Sequence, residues 1–330
     1  MSSIYYGRHT INIFEVGIRH SLRAKTPLNV RLCILRTMES PLQTATAGEL
    51  SVSEISQTPR HQQLIVTIFG LYARETGALM PVSSLVRLLG ELGVEAAGVR
   101  SSVSRLKRRG ILESTKAGGI ASYAIVPGRV DMFTEGDTRI FSPSHPSAED
   151  KWLLVVFSIP ETMRVKRHIL RSELTRMGFG SVSSGVWIAP ERTWIRAKQQ
   201  LDRLGLELYI DYFRAEHLSP LELSRNVGTW WDLVALDTMY ADFIAKYESL
   251  KIKWDSRQGN LSAETLRDAF VDYVPMITEW RRLPYKDPGI SAELLPADWK
   301  GMLAEELFGD LHRLLGTPAH DYVLGVMSQK

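Results

Sequence analysis

The chain has 330 residues, 44% of them hydrophobic and 23% charged. That balance belongs to a folded protein and excludes sequence-wide disorder, and the length calls for two or three domains. Net charge is only +3, but it is unevenly spread. Residues 60 to 129 hold ten Lys and Arg against four Asp and Glu, whereas residues 130 to 330 hold 24 against 29. A segment that attracts polyanions therefore precedes one that does not. The single cysteine, Cys33, leaves no internal disulfide and no cysteine-based zinc site, as suits a reducing compartment. The apolar stretch from Trp152 to Phe157 is far short of the ~20 residues of a membrane helix. The first twenty residues also lack a secretory apolar core, so a cytoplasmic location is expected.

Residues 1 to 57 show no sustained period and are expected to form a mobile extension, with Met38 as a possible alternative start. Thr58 before Pro59 reads as a helix start. Leu64, Ile65, Ile68, Phe69 and Tyr72 then repeat at helical spacing up to Gly77. Ser83 is the expected cap of a second helix carrying Leu85, Leu88, Leu89 and Leu92, stopped by Gly93. A third runs from Ala96 to Arg109 with Gly110 as its stop, so a short glycine-containing turn joins two helices, as in a helix-turn-helix. Ile111 to Lys116 and Ile120 to Val126 read as strands joined across Ala117, Gly118 and Gly119. The whole is expected to be a winged helix-turn-helix over residues 58 to 127.

Residues 128 to 150, bounded by proline and glycine, read as a linker. Beyond it the order is strand (Trp152 to Ser158), helix (Thr162 to Met177), strand (Ser181 to Ser183), strand (Val186 to Ala189), helix (Arg192 to Leu204) and strand (Leu206 to Phe213). That β-α-β-β-α-β order predicts a ferredoxin-like domain over residues 151 to 218. Residues 219 to 330 read as helical: Trp230 to Leu250, Ser262 to Trp280 and Trp299 to Leu315, with Pro284, Pro288 and Pro296 marking a loop before the last. The fold class is thus α+β and multidomain.

In the third helix Val99, Val103 and Leu106 share one face, while Ala97, Ser101, Ser104, Arg105 and Arg108 point away from it, flanked by Arg100 and Lys107. Arginine can donate two hydrogen bonds to guanine in the major groove, and serine and alanine permit close approach. Arg100, Ser101, Ser104 and Arg105 are the expected base readers. Arg60, Arg108 and Lys116 are the expected phosphate contacts, with Lys107 also counted in the DNA-binding set, making binding strongly salt-dependent. A solvated basic face, or cations placed to suit the helix dipole, would produce the same run of charge.

The glycines Gly178, Gly180 and Gly185 follow a helix instead of opening one after a strand, so they read as turn-makers and not as a phosphate loop. The eight histidines include no HExxH pair, and no nucleophile elbow occurs. All eight tryptophans lie after residue 150, mostly as core. The run from Trp280 to Pro288 interleaves cations with aromatics, and Trp280, Arg281, Arg282, Tyr285, Lys286 and Trp299 are the candidate pocket for an anionic, partly aromatic ligand.

These residues resemble the PaaX family, repressors of phenylacetic acid degradation operons. The likeness rests on Thr58 to Arg60, Val82 to Leu89, Val99 to Leu106, Arg109 to Leu112, Trp152 to Ser158, Gly178 to Gly180, Val186 to Ile188, Glu279 to Pro284 and, most specifically, Ala292 to Trp299. It spans about residues 58 to 320. It implies a non-enzymatic homodimeric repressor without a cofactor, bound to duplex operator DNA and released by an aryl-CoA thioester, typically phenylacetyl-CoA. The middle unit also looks like the small CRISPR-associated integration subunit, which opens the alternative of a metal-dependent nucleic-acid processing enzyme. The nucleases of that group carry an acidic residue at the end of their first strand; here Val156, Phe157 and Ser158 stand there. A dimerisation module without bound metal is therefore expected.

Overall fold

The computed structural model describes residues 4–6, 9–11, 60–74, 79–141, 147, 150–257 and 262–328. Of the expected extension, only an antiparallel pair, β1 (Ile4–Tyr6) and β2 (His9–Ile11), is described. The Thr58–Pro59 helix start and Gly77 lie outside the described residues, as does Met38.

From Arg60 the apolar period produces α1 (Arg60–Ile68), which continues through one wider π-helical turn, Phe69–Ala73. Leu64, Ile65, Ile68 and Phe69 are all essentially inaccessible to water, each contributing about 1.5–3 kcal/mol by burial. Leu79–Pro81 is a strand, β3, an element the sequence reading does not contain. Helix α2 (Val82–Glu91) starts directly after Pro81, so Ser83 lies inside the helix and does not cap it. Helix α3 (Ala96–Arg108) follows, then strands β4 (Leu112–Ala117) and β5 (Ile120–Ile125). The β4–β5 turn is Gly118–Gly119, with φ of 56° and 85°. Both values suit a tight hairpin of the type that only glycine or asparagine adopts readily. β5 is the centre of a three-stranded antiparallel sheet, order β3-β5-β4.

The expected linker is largely a helix. Residues Val130–Phe141 form α4, and Phe133 and Ile140 are buried in the same core as α1. Residue 136 is glycine, and a Cβ there would lie 3.0 Å from the Tyr285 hydroxyl. That glycine interrupts the apolar period and disguises the helix in the sequence.

The central unit has the expected element order: β6 (Trp152–Phe157), α5 (Arg164–Arg176), β7 (Gly180–Ser183), β8 (Val186–Pro190), α6 (Trp194–Arg203) and β9 (Ile210–Ala215). The sheet is antiparallel in the order β7-β8-β6-β9. The last strand begins later than Leu206, because Glu207–Tyr209 close a single 3-10 turn first. The sheet has two apolar faces. Leu153, Val155 and Phe157 pack with Leu170, Leu174 and Leu201 of the two helices, while Trp152 and Ile188 pack against Leu223, Val227 and Leu294. Gly178, at φ 88°, ends α5, and Gly180 leaves room for the Trp231 indole, which lies 2.6 Å from the position of a Cβ.

The second sheet face is covered by α7 (Pro220–Trp230), a helix absent from the sequence reading. The long helix expected from Trp230 starts instead at Leu233, as α8 (Leu233–Asp255), with Asp232 Oδ1 accepting from Ala235 N at 3.0 Å. Then come α9 (Ala263–Trp280), the single turn α10 (Leu283–Lys286) and α11 (Gly301–Ser328). α11 passes through Gly316 and Pro318, well beyond the expected end at Leu315. The gain that carries it past the proline is burial of Ala319, Val323 and Val326.

One apolar core runs from α1, α2 and α3 into α8, α9 and α11. Polar links cross the same boundary. Thr278 Oγ1 lies 2.8 Å from Thr67 Oγ1, Arg267 Nε bonds Glu91 Oε2 at 2.6 Å, and the Tyr322 hydroxyl donates to Glu91 Oε1 at 3.1 Å. The first module and the C-terminal helices are therefore not beads on a string: moving one disturbs a shared interior.

Candidate nucleic-acid interface

Helix α3 is fixed by its inner face. Val99, Val103 and Leu106 are at most 2% exposed, and their spacing leaves Arg100, Ser101, Ser104, Arg105 and Arg108 on the solvent side, all exposed. Lys107 is exposed as well, but its Nζ donates to Ser114 Oγ of β4 at 2.6 Å, tying the helix to the hairpin. Lys116 is exposed near the hairpin tip. Arg60 is exposed at the start of α1. The next residue, His61, lies 3.4 Å from the Cβ position of Gly98 in the first turn of α3, while the charge of Arg60 acts on Tyr247 of α8. Seven of the eight sequence-derived residues are thus exposed on α3 and β4, and Arg60 is exposed at the start of α1.

The carboxylate pairs among the described residues involve other cations, and none engages Arg60, Arg100, Arg105, Arg108 or Lys116. A polyanion can therefore be met without first breaking an ion pair. A 13-residue helix is about 20 Å long, long enough to lie along a major groove ~12 Å wide.

The second candidate set is dispersed. Trp280 is 2% exposed, stacked on Phe308 with centroids 4.5 Å apart and planes at 11°, and its Nε1 donates to Ile140 O at 3.4 Å. Arg281 is 5% exposed, with Nη2 donating to Gln63 O at 3.3 Å. Burial pushes its guanidinium down to about 10. Arg282 and Tyr285 are half-buried and Lys286 is exposed, its Nζ 3.5 Å from Met239 Sδ. Trp299 meets the Tyr240 ring edge-on at 5.7 Å. The segment expected as a proline-marked loop is the end of α9 plus the turn α10, and its first two members are core.

What organises this region is Arg139 on α4, which sequence reading missed. Its guanidinium lies 5.0 Å over the Tyr285 ring, with Nε donating to Pro284 O at 2.6 Å and Nη2 to Asp287 O at 3.3 Å. Burial, and then Arg196 nearby, lower its pKa to about 10. Asp287 in turn accepts from the Tyr240 hydroxyl at 2.6 Å. Helical spacing of Phe133 and Ile140 with Arg139 was the available signal.

The basic helix face thus belongs to a module of three helices and an antiparallel hairpin, and a central four-stranded sheet follows it. Family models match the chain in the same order: PaaX-like protein over residues 60–126, PaaX protein central Cas2-like domain over 145–227, and PaaX-like protein C-terminal domain over 231–325. The chain belongs to the PaaX-like family. It is 25% identical over 265 residues to the transcriptional repressor PaaX of Escherichia coli (strain K12), covering 79% of this chain and 82% of that protein. In fold it resembles the solved structure of the uncharacterized protein Rv0674 from Mycobacterium tuberculosis, with a TM-score of 0.52 and 17% identity, covering 80% of this chain and 99% of that one. Among the described residues no helix is long and apolar enough to cross a membrane.

Proposed function

We propose that this chain is a winged helix-turn-helix repressor of an aromatic-acid catabolic operon. It binds duplex operator DNA through α3 and the β4–β5 hairpin and is released by an aryl-CoA thioester, phenylacetyl-CoA being the first candidate. The observation that carries the DNA part is the face of α3: exposed Arg100, Ser101, Ser104, Arg105 and Arg108 opposite a fully buried Val99, Val103 and Leu106, with none of these arginines held in an ion pair among the described residues. Helix and hairpin positions correspond to those by which such modules meet base edges and phosphates. The central ferredoxin-like unit is the dimerisation module in this reading, and a two-fold dimer would meet two half-sites one helical turn apart.

The effector part rests on the family and on the shared core, since a continuous interior gives a ligand held by the C-terminal helices a physical route by which to bias the reader. Arg139, Arg282, Tyr285 and Lys286 are the residues of that region offered to an anionic thioester. A gel-shift on the DNA upstream of the chain's own coding sequence tests the whole proposal. A retarded band released by phenylacetyl-CoA, with the DNA intact in the presence of Mg²⁺, is the expected result. A band indifferent to the thioester removes the effector assignment, and cut DNA removes the repressor reading.

A further inference from the structure

Between α1, α4 and α9 lies a half-open cleft of about 40 Å³ lined by Val66, Gly70, Phe133, Phe141, Ile277 and Arg281. Its walls are apolar apart from Thr67, Asp137 and Arg281. Asp137 is occupied, since Arg74 pairs with it. Arg281 is not: its Nε is buried with no hydrogen-bond partner, its Nη2 reaches only the Gln63 carbonyl, and no carboxylate pairs with it among the described residues. A guanidinium 95% removed from water, facing only neutral acceptors, carries an uncompensated charge, and buried charges are ordinarily paired.

We propose that this cleft binds the carboxylate end of a small organic acid, with Arg281 as the partner of the anion. The volume is several times the ~10–15 Å³ that one water needs and well below the ~150 Å³ of a cavity that holds benzene. A carboxylate with its adjoining methylene fits as the cleft stands, and the rest of the ligand extends through the open mouth. A charged acceptor suits Arg281 better than the neutral carbonyl of a thioester, because only an anion cancels the buried charge. Occupancy would be felt by the reader. Val66 and Gly70 belong to α1, and the Phe133 ring lies so close over Gly70 that a Cβ there would meet it at 3.1 Å. A ligand pressing on Phe133 therefore presses on the helix that supports α3. This last consequence rests on the repressor reading above; the ligand chemistry does not.

Calorimetric titration of the full chain with phenylacetate and propionate, and with phenylacetamide and propionamide as neutral isosteres, tests the site. The acids are expected to bind saturably and the amides at least about tenfold more weakly, since a hydrogen bond to a charged group is the one lost. Arg281→Met should abolish acid binding while Arg281→Lys keeps part of it. If Arg281→Met fails to fold by circular dichroism, Leu71→Trp at the half-buried wall of the cleft takes its place, with at least about tenfold weaker acid binding expected. Equal binding of acids and amides overturns the proposal, as does undiminished binding to Leu71→Trp or no acid binding up to about 10 mM. Binding of phenylacetyl-CoA in this cleft without binding of the acids also overturns the carboxylate assignment and leaves the repressor reading standing. Acid binding that leaves DNA affinity unchanged upholds the site and counts against its role in the switch.

Discussion

Two stretches of this chain look alike on paper: Arg100 to Arg108, and Trp280 to Lys286. Both interleave cations with side chains that can meet a ligand, yet the fold treats them in opposite ways. The first keeps its cations in water because Val99, Val103 and Leu106 take the inner face of α3. The second sits where α9 enters the shared core, so Trp280 and Arg281 are buried and only Lys286 is exposed. Position on a helix relative to the core, and not local composition, decides whether a basic run is presented to water or drawn into the interior.

The sharpest way to break that contrast is to truncate both stretches and read stability. Trp280→Ala removes a ring stacked on Phe308 and should cost about 3–5 kcal/mol in denaturant unfolding; a loss under about 1 kcal/mol would place Trp280 outside the core. Leu106→Ala should cost about 2–5 kcal/mol, whereas Arg105→Ala, one residue away, should change stability by no more than about 0.5 kcal/mol.

A subtler difference concerns pH. Burial holds the His312 imidazole below its ordinary value, with Nδ1 2.7 Å from the Tyr273 hydroxyl and the ring stacked near Phe308. The unfolded chain takes up the proton first, so this contribution to stability is complete above about pH 6.5 and declines as the pH falls from there toward the lower folded pKa. His312→Phe should flatten the slope of stability against pH in that range; an unchanged slope would show that the imidazole does not titrate with folding. Smallest of all, Arg108→Ala should lower the dependence of log affinity for duplex DNA on log salt by about one unit, a change measurable by fluorescence anisotropy across a salt series.

The reader was legible because several local requirements agree there. The apolar spacing of α3, the Gly93 and Gly110 stops, and the paired glycines of the hairpin each point to one arrangement. The central unit was legible for similar reasons, its strand runs and glycine stops giving the order even though β9 starts four residues later than expected. α4 was hidden because Gly136 stands in the middle of its apolar period, between Phe133 and Ile140. The end of α11 was hidden because Gly316 and Pro318 are local stop signals that distant burial overrides. Arg281 was legible as a cation but not as a buried one: the residue type argues for the surface, and only the packing of α1 against α9 removes it from water.

The central claim, that the solvent face of α3 specifies DNA, is tested most directly by binding-site selection with the wild-type chain and Arg105→Ala in parallel, followed by affinity measurement on the selected duplex. The account predicts an unchanged unfolding midpoint, an altered base preference at one position in each half-site, and an affinity about ten- to hundredfold lower for the original sequence. Identical preference and affinity for the two proteins would contradict it.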